Sequence, residues 1–193
     1  MKICVFGAAS NEINESYIQK VENLGKEMAK RGHSLVFGAG GGGLMGAAAR
    51  GVFEEKGSIT GVIPSFFRDE EIEAIFENCT EIIYTETMAQ RKSKMEDLAD
   101  AFIIVPGGIG TFEEFFEVLT LKQLTRHAKP IAILDINGYY KKLEEFLKIS
   151  VEERFIRDDC KNLYFYSTDI DRILSYIENY HCENLDVHDL KLS

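Results

Sequence analysis

The chain has 193 residues, with 32 acidic against 22 basic side chains and a formal net charge of −10. That length suffices to bury a sizeable core in one domain, and the acidic balance argues against nucleic acid as a bulk partner while leaving room for a small phosphorylated ligand held by a few local cations. No run approaches the roughly 20 apolar residues of a membrane span, so no membrane partner is expected. Cys4, Cys79, Cys160 and Cys182 are as scattered as His33, His127, His181 and His188, so neither a metal site nor a disulfide scaffold is expected.

The opening run Met1-Lys-Ile-Cys-Val-Phe-Gly7 reads as a strand rather than a leader, because polar residues follow at once from Ser10 to Glu15. A cytoplasmic protein is the expectation. From there strand and helix signals alternate. Strands are predicted over residues 3–7, 34–37, 58–63, 81–84, 101–105, 130–134 and 163–166. Helices are predicted near 16–31, 44–56, 87–99, 111–124, 138–153 and 168–180, with stop signals at Lys30-Arg31-Gly32 and Lys56-Gly57. Strands that read as continuous apolar runs between helices indicate a parallel sheet covered on both faces. Right-handed crossovers make this an α/β, Rossmann-like doubly wound sheet. The expected organisation is one nucleotide-binding domain over 1–180 and a polar tail over 181–193.

Two glycine clusters follow strands, where ligands bind in such sheets. The more informative is Pro106-Gly-Gly-Ile-Gly-Thr-Phe-Glu-Glu114, directly after the apolar run Ala101–Val105. Thr111 is expected to cap and open a helix whose apolar spacing runs through Phe112, Phe115, Phe116 and Leu119. A glycine-rich turn leading into a helix N-terminus offers free backbone N–H groups and the positive end of the helix dipole to an anion, most often phosphate. A bare turn needs positive φ at one or two glycines only.

The other cluster is Gly38-Ala-Gly40-Gly-Gly-Gly43-Leu-Met-Gly46. It contains the G-x-G-x-x-G spacing of a dinucleotide site but follows the second strand. The next strand ends Val62-Ile63-Pro64-Ser65 without the acidic residue that would hold a ribose. It reads as a loop that lets backbone approach a nucleotide, with close helix–strand packing at Gly43, Gly46 and Gly51 as the competing reading.

On the helix from about Thr87, Met88, Arg91, Lys92 and Met95 share one face, extended by Leu98 and Ala99. Two cations therefore interrupt a stripe that should be buried. Long cations can snorkel along a half-covered helix, but a doubly broken pattern is more often a functional feature, and a guanidinium held there binds phosphate or carboxylate bidentately. Glu113, Glu114 and Glu117 follow the glycine loop, where carboxylates complement the helix dipole. Glu113 and Glu117 share a face; Glu114 is turned about 100° from Glu113 and is free to face a pocket alone.

Taken together, Gly38–Gly46, Met88-x-x-Arg91-Lys92-x-x-Met95 and Pro106-Gly-Gly-x-Gly-Thr-x-x-Glu114 resemble the LOG ("Lonely Guy") proteins, cytokinin riboside 5′-monophosphate phosphoribohydrolases formerly labelled putative lysine decarboxylases. The resemblance covers Lys2 to about Phe155, with the motifs in family order. It implies cleavage of the N-glycosidic bond of an adenine-type nucleotide, with no cofactor, in a homodimer or larger homo-oligomer whose active sites lie close to the subunit interface. By position it makes Arg91 and Glu114 the catalytic pair and Lys92, Gly108 to Thr111 and Thr120 nucleotide contacts. A substrate-binding glutamate falls on Glu71, with Glu70 as rival because the spacing to Arg91 is two residues longer here. Gly107, Ile109, Gly110, Phe112, Glu113, Met88, Gly38, Gly40 and Gly43 complete the candidate set. The family's Gly-Ser-Ser after the first strand is here Gly7-Ala8-Ala9-Ser10, and its Gly-Gly-Gly is Gly38-Ala39-Gly40. A non-catalytic nucleotide or cofactor carrier on the same fold is the alternative. A pyridoxal-dependent decarboxylase would need a Schiff-base lysine, for which Lys92 is the pocket candidate.

Overall fold

The computed structural model describes residues 1–70 and 74–181. In chain order the elements are β1 (Lys2–Phe6), α1 (Glu15–Lys30), β2 (Ser34–Phe37), α2 (Gly43–Glu54), β3 (Ile59–Pro64), α3 (Ser65–Asp69), β4 (Glu81–Thr85), α4 (Met88–Leu98), β5 (Ala101–Ile104), α5 (Ile109–Gln123), β6 (Ile131–Leu134), α6 (Lys141–Glu152), β7 (Phe165–Ser167) and α7 (Ile170–Glu178). The strands form one parallel sheet in the order β4-β3-β2-β1-β5-β6-β7. The chain winds outward from β1 to β4, returns to lay β5 beside β1, and winds out the other way. The switch point between β1 and β5 is where such sheets open a crevice, and the loops after both strands meet there.

Side chains alternate across the sheet because successive strand residues face opposite ways. Ile3, Val5, Ala101 and Ile103 pack on one face with Leu24, Met28, Ala48 and Leu174 of α1, α2 and α7. Cys4, Phe6, Phe102 and Ile104 pack on the other with Met95, Phe115 and Val118 of α4 and α5. Both faces are covered, which is why these strands show no polar alternation. α1 and α2 meet backbone to backbone: a Cβ on Gly25 would lie 2.3 Å from the Ala48 carbonyl oxygen and one on Gly51 2.0 Å from that of Glu22.

Several boundaries differ from the sequence expectation for identifiable reasons. The helix expected to open at Thr111 begins at Ile109, with Gly108 as its N-cap and no side-chain cap bond. Backbone extended at Gly108 supplies the turn, so Thr111 lies inside the helix and is buried. The helix expected near 138 begins at Lys141, because Asn137 and Gly138 take positive φ of 57° and 77°. The short helix α3 and a 3-10 turn over Asp158–Leu163 carry no clear sequence signal, and the turn delays the last strand to Phe165.

Candidate functional site

The loop after β5 is held from three directions. The Pro106 carbonyl accepts from Ala8 N–H at 3.0 Å, Tyr140 Oη donates to the Val105 carbonyl at 2.8 Å, and Tyr139 Oη donates to the Gly107 carbonyl at 2.5 Å. The first intrahelical bond of α5 runs from Phe112 N–H to the Gly108 carbonyl. By helix geometry the N–H groups of Gly108, Ile109, Gly110 and Thr111 then lack intrahelical partners. A Cβ at Gly108 or Gly110 would meet nothing within 4 Å, so this end of α5 stands open.

Beside it lies a buried ion pair. Arg91, one turn into α4, and Glu114, in the second turn of α5, are each only 8 % exposed. Arg91 Nη1 donates to Glu114 Oε1 at 3.0 Å and Nε donates to the Val62 carbonyl at 3.3 Å. Its Nη2 lies against the Cα of Gly38, where any Cβ would come within 1.9 Å of it. Burial pushes the Glu114 carboxyl above the ordinary glutamate range, and the neighbouring Arg91 charge offsets part of that rise. While ionised, a carboxylate of raised pKa is a stronger base than an exposed one. Met95 of α4 and Phe115 of α5 are fully buried in the apolar cluster on this face of the sheet.

Lys92 faces another way. Its ammonium bridges to Glu113 and, at 2.8 Å, to Glu117. The shared face expected of Glu113 and Glu117 is therefore the face turned to Lys92, and Glu114 is set apart from it. Burial works to lower the Lys92 pKa, but hydrogen bonds from Glu113 and Glu117 outweigh it and hold the ammonium above its ordinary range. Glu96, one turn further along α4, is raised to about 7 by burial and by the nearby Glu117.

A family profile described as "Possible lysine decarboxylase" matches residues 45–177. The cytokinin riboside 5′-monophosphate phosphoribohydrolase LOG2 of Arabidopsis thaliana is 35 % identical over 93 % of this chain and 83 % of its own. LOGL6 of Oryza sativa subsp. japonica, named a probable enzyme of the same activity, is 37 % identical over 93 % of this chain and 71 % of its own. This chain belongs to the LOG family. Among solved structures, the molybdenum cofactor carrier protein of Chlamydomonas reinhardtii superposes with a TM-score of 0.69 at 22 % identity, covering 92 % of this chain and 95 % of that one. The molybdenum cofactor binding protein of Rippkaea orientalis gives 0.67 at 18 %, covering 92 % and 94 %. At such identities the likeness is one of fold.

Within this LOG-family chain the remaining candidates divide. Gly38 is buried beside Arg91, whereas Gly43, at φ 53°, packs on the backbone of Ala8 to Ser10 and donates its N–H to Asn11 Oδ1 at 2.8 Å. Gly40 bridges to Ile75. Gly107 is closed in by Thr111, whose hydroxyl would lie 2.1 Å from an added Cβ. Phe112 packs edge-on to Tyr140, and Ile109 is 88 % exposed. Met88 is exposed at the start of α4, so the buried stripe begins at Arg91 rather than Met88. Thr120 lies six residues beyond Glu114, about 9 Å along the helix. It lines a cavity of about 620 Å³ with Phe116, Leu119 and Gln123, a cavity that neither Arg91 nor Glu114 lines. A single copy of the chain does not bring Thr120 to the ion pair. Glu71 lies outside the described residues; Glu70, exposed, donates its N–H to the Phe66 carbonyl at the end of α3.

Tyr139, Tyr140 and Asp135 are absent from the sequence-derived set, yet they hold the glycine loop. Asp135, 1 % exposed, accepts from Tyr140 N–H at 2.9 Å and from Tyr166 Oη at 2.6 Å. The available signal was an acidic residue at the tip of a buried strand, followed by Asn-Gly and two tyrosines.

Proposed function

We propose that this LOG-family protein is a nucleoside 5′-monophosphate phosphoribohydrolase, cleaving the N-glycosidic bond of cytokinin riboside 5′-monophosphates or of AMP. The products are the free base and ribose 5-phosphate. The observation that carries the reading is the buried Arg91–Glu114 pair set beside the open N-terminus of α5. The amides of Gly108 to Thr111 would receive the 5′-phosphate, where unpaired N–H groups and the helix dipole favour negative charge. The ribose would then extend toward Glu114, in the next turn of the same helix.

Hydrolysis at C1′ passes through an oxocarbenium-like state, as in other glycoside cleavages. The bond to the purine nitrogen breaks with its electron pair leaving on the base. Water adds to C1′ and gives up a proton to the Glu114 carboxylate, and the departing purine nitrogen takes up one proton in exchange, which returns Glu114 to its ionised form and completes the neutral base. While ionised, Glu114 also stabilises the positive charge growing on the sugar. Arg91 holds Glu114 in place and offers its remaining guanidinium N–H groups to the ligand or to the departing base. The phosphoribohydrolase names of LOG2 and LOGL6, together with the match of Arg91 and Glu114 to the family motifs, support the same chemistry.

The decarboxylase activity in the family's description fits these residues poorly. A Schiff-base lysine needs a neutral amine, reached by a lowered pKa, whereas Lys92 is clamped by Glu113 and Glu117 and held above its ordinary range. The carrier reading has the fold of the molybdenum cofactor proteins in its favour, but a carrier does not require a buried carboxylate of raised pKa beside the anion loop.

The deciding experiment is base release from AMP and from isopentenyladenosine 5′-monophosphate, with Glu114→Gln and Glu114→Ala in parallel. Losing one acid–base group costs typically about 10²–10⁴-fold, so both variants should fall by at least about a hundredfold with nucleotide binding retained. Turnover within twofold of the parent protein would remove Glu114 from the mechanism. Absence of release from either nucleotide, with tight binding, would favour the carrier.

A further inference from the structure

Three consecutive carbonyl groups lead into α5, and each is tied back by a donor outside the loop. Val105 is held by Tyr140 Oη, Pro106 by Ala8 N–H, and Gly107 by Tyr139 Oη. In a trans peptide the C=O of one residue and the N–H of the next point in opposite directions, and no cis peptide occurs among the described residues. Fixing the Gly107 carbonyl on Tyr139 therefore aims the Gly108 N–H away from Tyr139, and Gly108 itself is exposed, with open space where a Cβ would stand. The peptide needs such a tie. It lies between two glycines, which resist rotation less than other residues, and a flip would put a carbonyl oxygen where a donor stood. A lone pair facing a phosphate repels it.

We propose that Tyr139 is a positioning residue, whose hydroxyl locks the Gly107–Gly108 peptide with its N–H presented to the 5′-phosphate. The inference rests on the phosphoribohydrolase reading for the identity of the ligand. The tyrosine is itself well placed for this role. Its ring packs edge-on against Tyr17 and Tyr140, and its N–H donates to the Ile136 carbonyl at 3.1 Å. The turn that carries it is pinned to α1 by Asn137 Nδ2, which donates to Ser16 Oγ at 2.9 Å. Tyr140, by contrast, is buried and bonds one residue short of the glycines. Its role is to hold the strand end, whereas Tyr139 bonds the carbonyl of the peptide between the two glycines.

The test is Tyr139→Phe, which keeps the half-exposed ring and its packing on Tyr17 while removing the one hydroxyl. One neutral hydrogen bond corresponds to roughly a three- to tenfold change in an equilibrium. The expected result is a rise of about that size in KM for the nucleoside 5′-monophosphate, with kcat within twofold. The dissociation constant for ribose 5-phosphate, measured by calorimetry, should rise by the same factor, and slow cleavage of the corresponding unphosphorylated riboside should be unchanged. Equal losses on the phosphorylated and unphosphorylated substrates would mean a general structural effect and overturn the proposal, as would unchanged ribose 5-phosphate affinity. The two readings fail separately. If the parent protein binds ribose 5-phosphate but releases no base, the hydrolase reading falls and the binding comparison still decides Tyr139. If the parent protein releases base but does not bind ribose 5-phosphate, the hydrolase reading stands and the Tyr139 proposal falls.

Discussion

A Cβ built on Gly46 would lie 2.0 Å from the Gly41 carbonyl oxygen, and one on Gly51 equally close to that of Glu22; at Gly108 and Gly110 it would meet nothing within 4 Å. In sequence the two clusters look alike, each a run of glycines between an apolar strand and a helix. After β2 the glycines are needed by the protein itself, because α2 is drawn against its own loop and against α1 more closely than any side chain permits. After β5 two of them are required by no close packing among the described residues. A glycine whose missing side chain leaves space unfilled makes room for something else, and here that space borders free amides and a buried carboxylate. Gly38 belongs to neither class: what fills its space is the Arg91 guanidinium.

Substitution to alanine should separate these situations. Gly51→Ala has the largest expected effect, since backbone on both helices must move to admit the methyl. Overpacking of this kind costs about 1–3 kcal/mol, so Tm should drop by about 3 °C or more at this size. Activity per folded molecule should stay near that of the parent. If Gly51→Ala keeps its stability and loses activity instead, the division between packing and ligand glycines is wrong. Gly38→Ala should do the reverse. Its methyl would displace the guanidinium from 1.9 Å to an ordinary contact of about 3.4 Å, a shift of about 1.5 Å, and the atom displaced is the end of a flexible side chain. Misplacing a catalytic group by about 1 Å costs on the order of a hundredfold. We expect a loss of kcat of that size with Tm changed by less than about 3 °C.

What could be read from the sequence follows the same physical line. The sheet was legible because Ile3, Val5, Ala101 and Ile103 face one layer while Cys4, Phe6, Phe102 and Ile104 face the other, so each strand is apolar throughout. Arg91 was legible because it interrupts an apolar stripe, and the structure buries it on Glu114. The same rule would also mark Lys122, fully buried in α5 with its ammonium 4.6 Å from the Tyr180 ring centre; an interrupted stripe locates a charge but not its use. The start of α5 was misplaced because an extended glycine with no side-chain cap leaves no residue-type signature. Tyr139 was missed for a different reason. Its bond joins residues 32 apart in sequence, and the acidic strand tip and Asn-Gly before it mark a turn without saying which loop the tyrosine reaches.

Gly108→Ala sharpens the other side of the comparison. Gly108 has φ −94° and ψ −152°, extended backbone that alanine also adopts, and its methyl would stand in open space. Stability should therefore stay within about 0.5 kcal/mol, the usual range for surface changes. A methyl in front of the amides proposed to receive the phosphate should raise KM for the nucleotide by about tenfold or more, the usual scale for one misfitting methylene. Unchanged KM would move the phosphate away from this end of α5.

The smallest effect is expected at Ala39, where the family's run of three glycines is interrupted. Ala39 is buried at φ 64°, in the left-handed region. That conformation costs an L-residue roughly 1–2 kcal/mol, which Ala39→Gly would relieve. Against this, glycine loses about 0.5–1 kcal/mol more chain entropy on folding, and the buried methyl is worth about 0.8 kcal/mol. The opposing contributions nearly cancel, so urea unfolding should place Ala39→Gly within about 0.5 kcal/mol of the parent protein. A gain above about 1.5 kcal/mol would mean that strain dominates and that the methyl is poorly packed. A loss of that size would mean that Ala39, unlike the glycines on either side of it, has become part of the core.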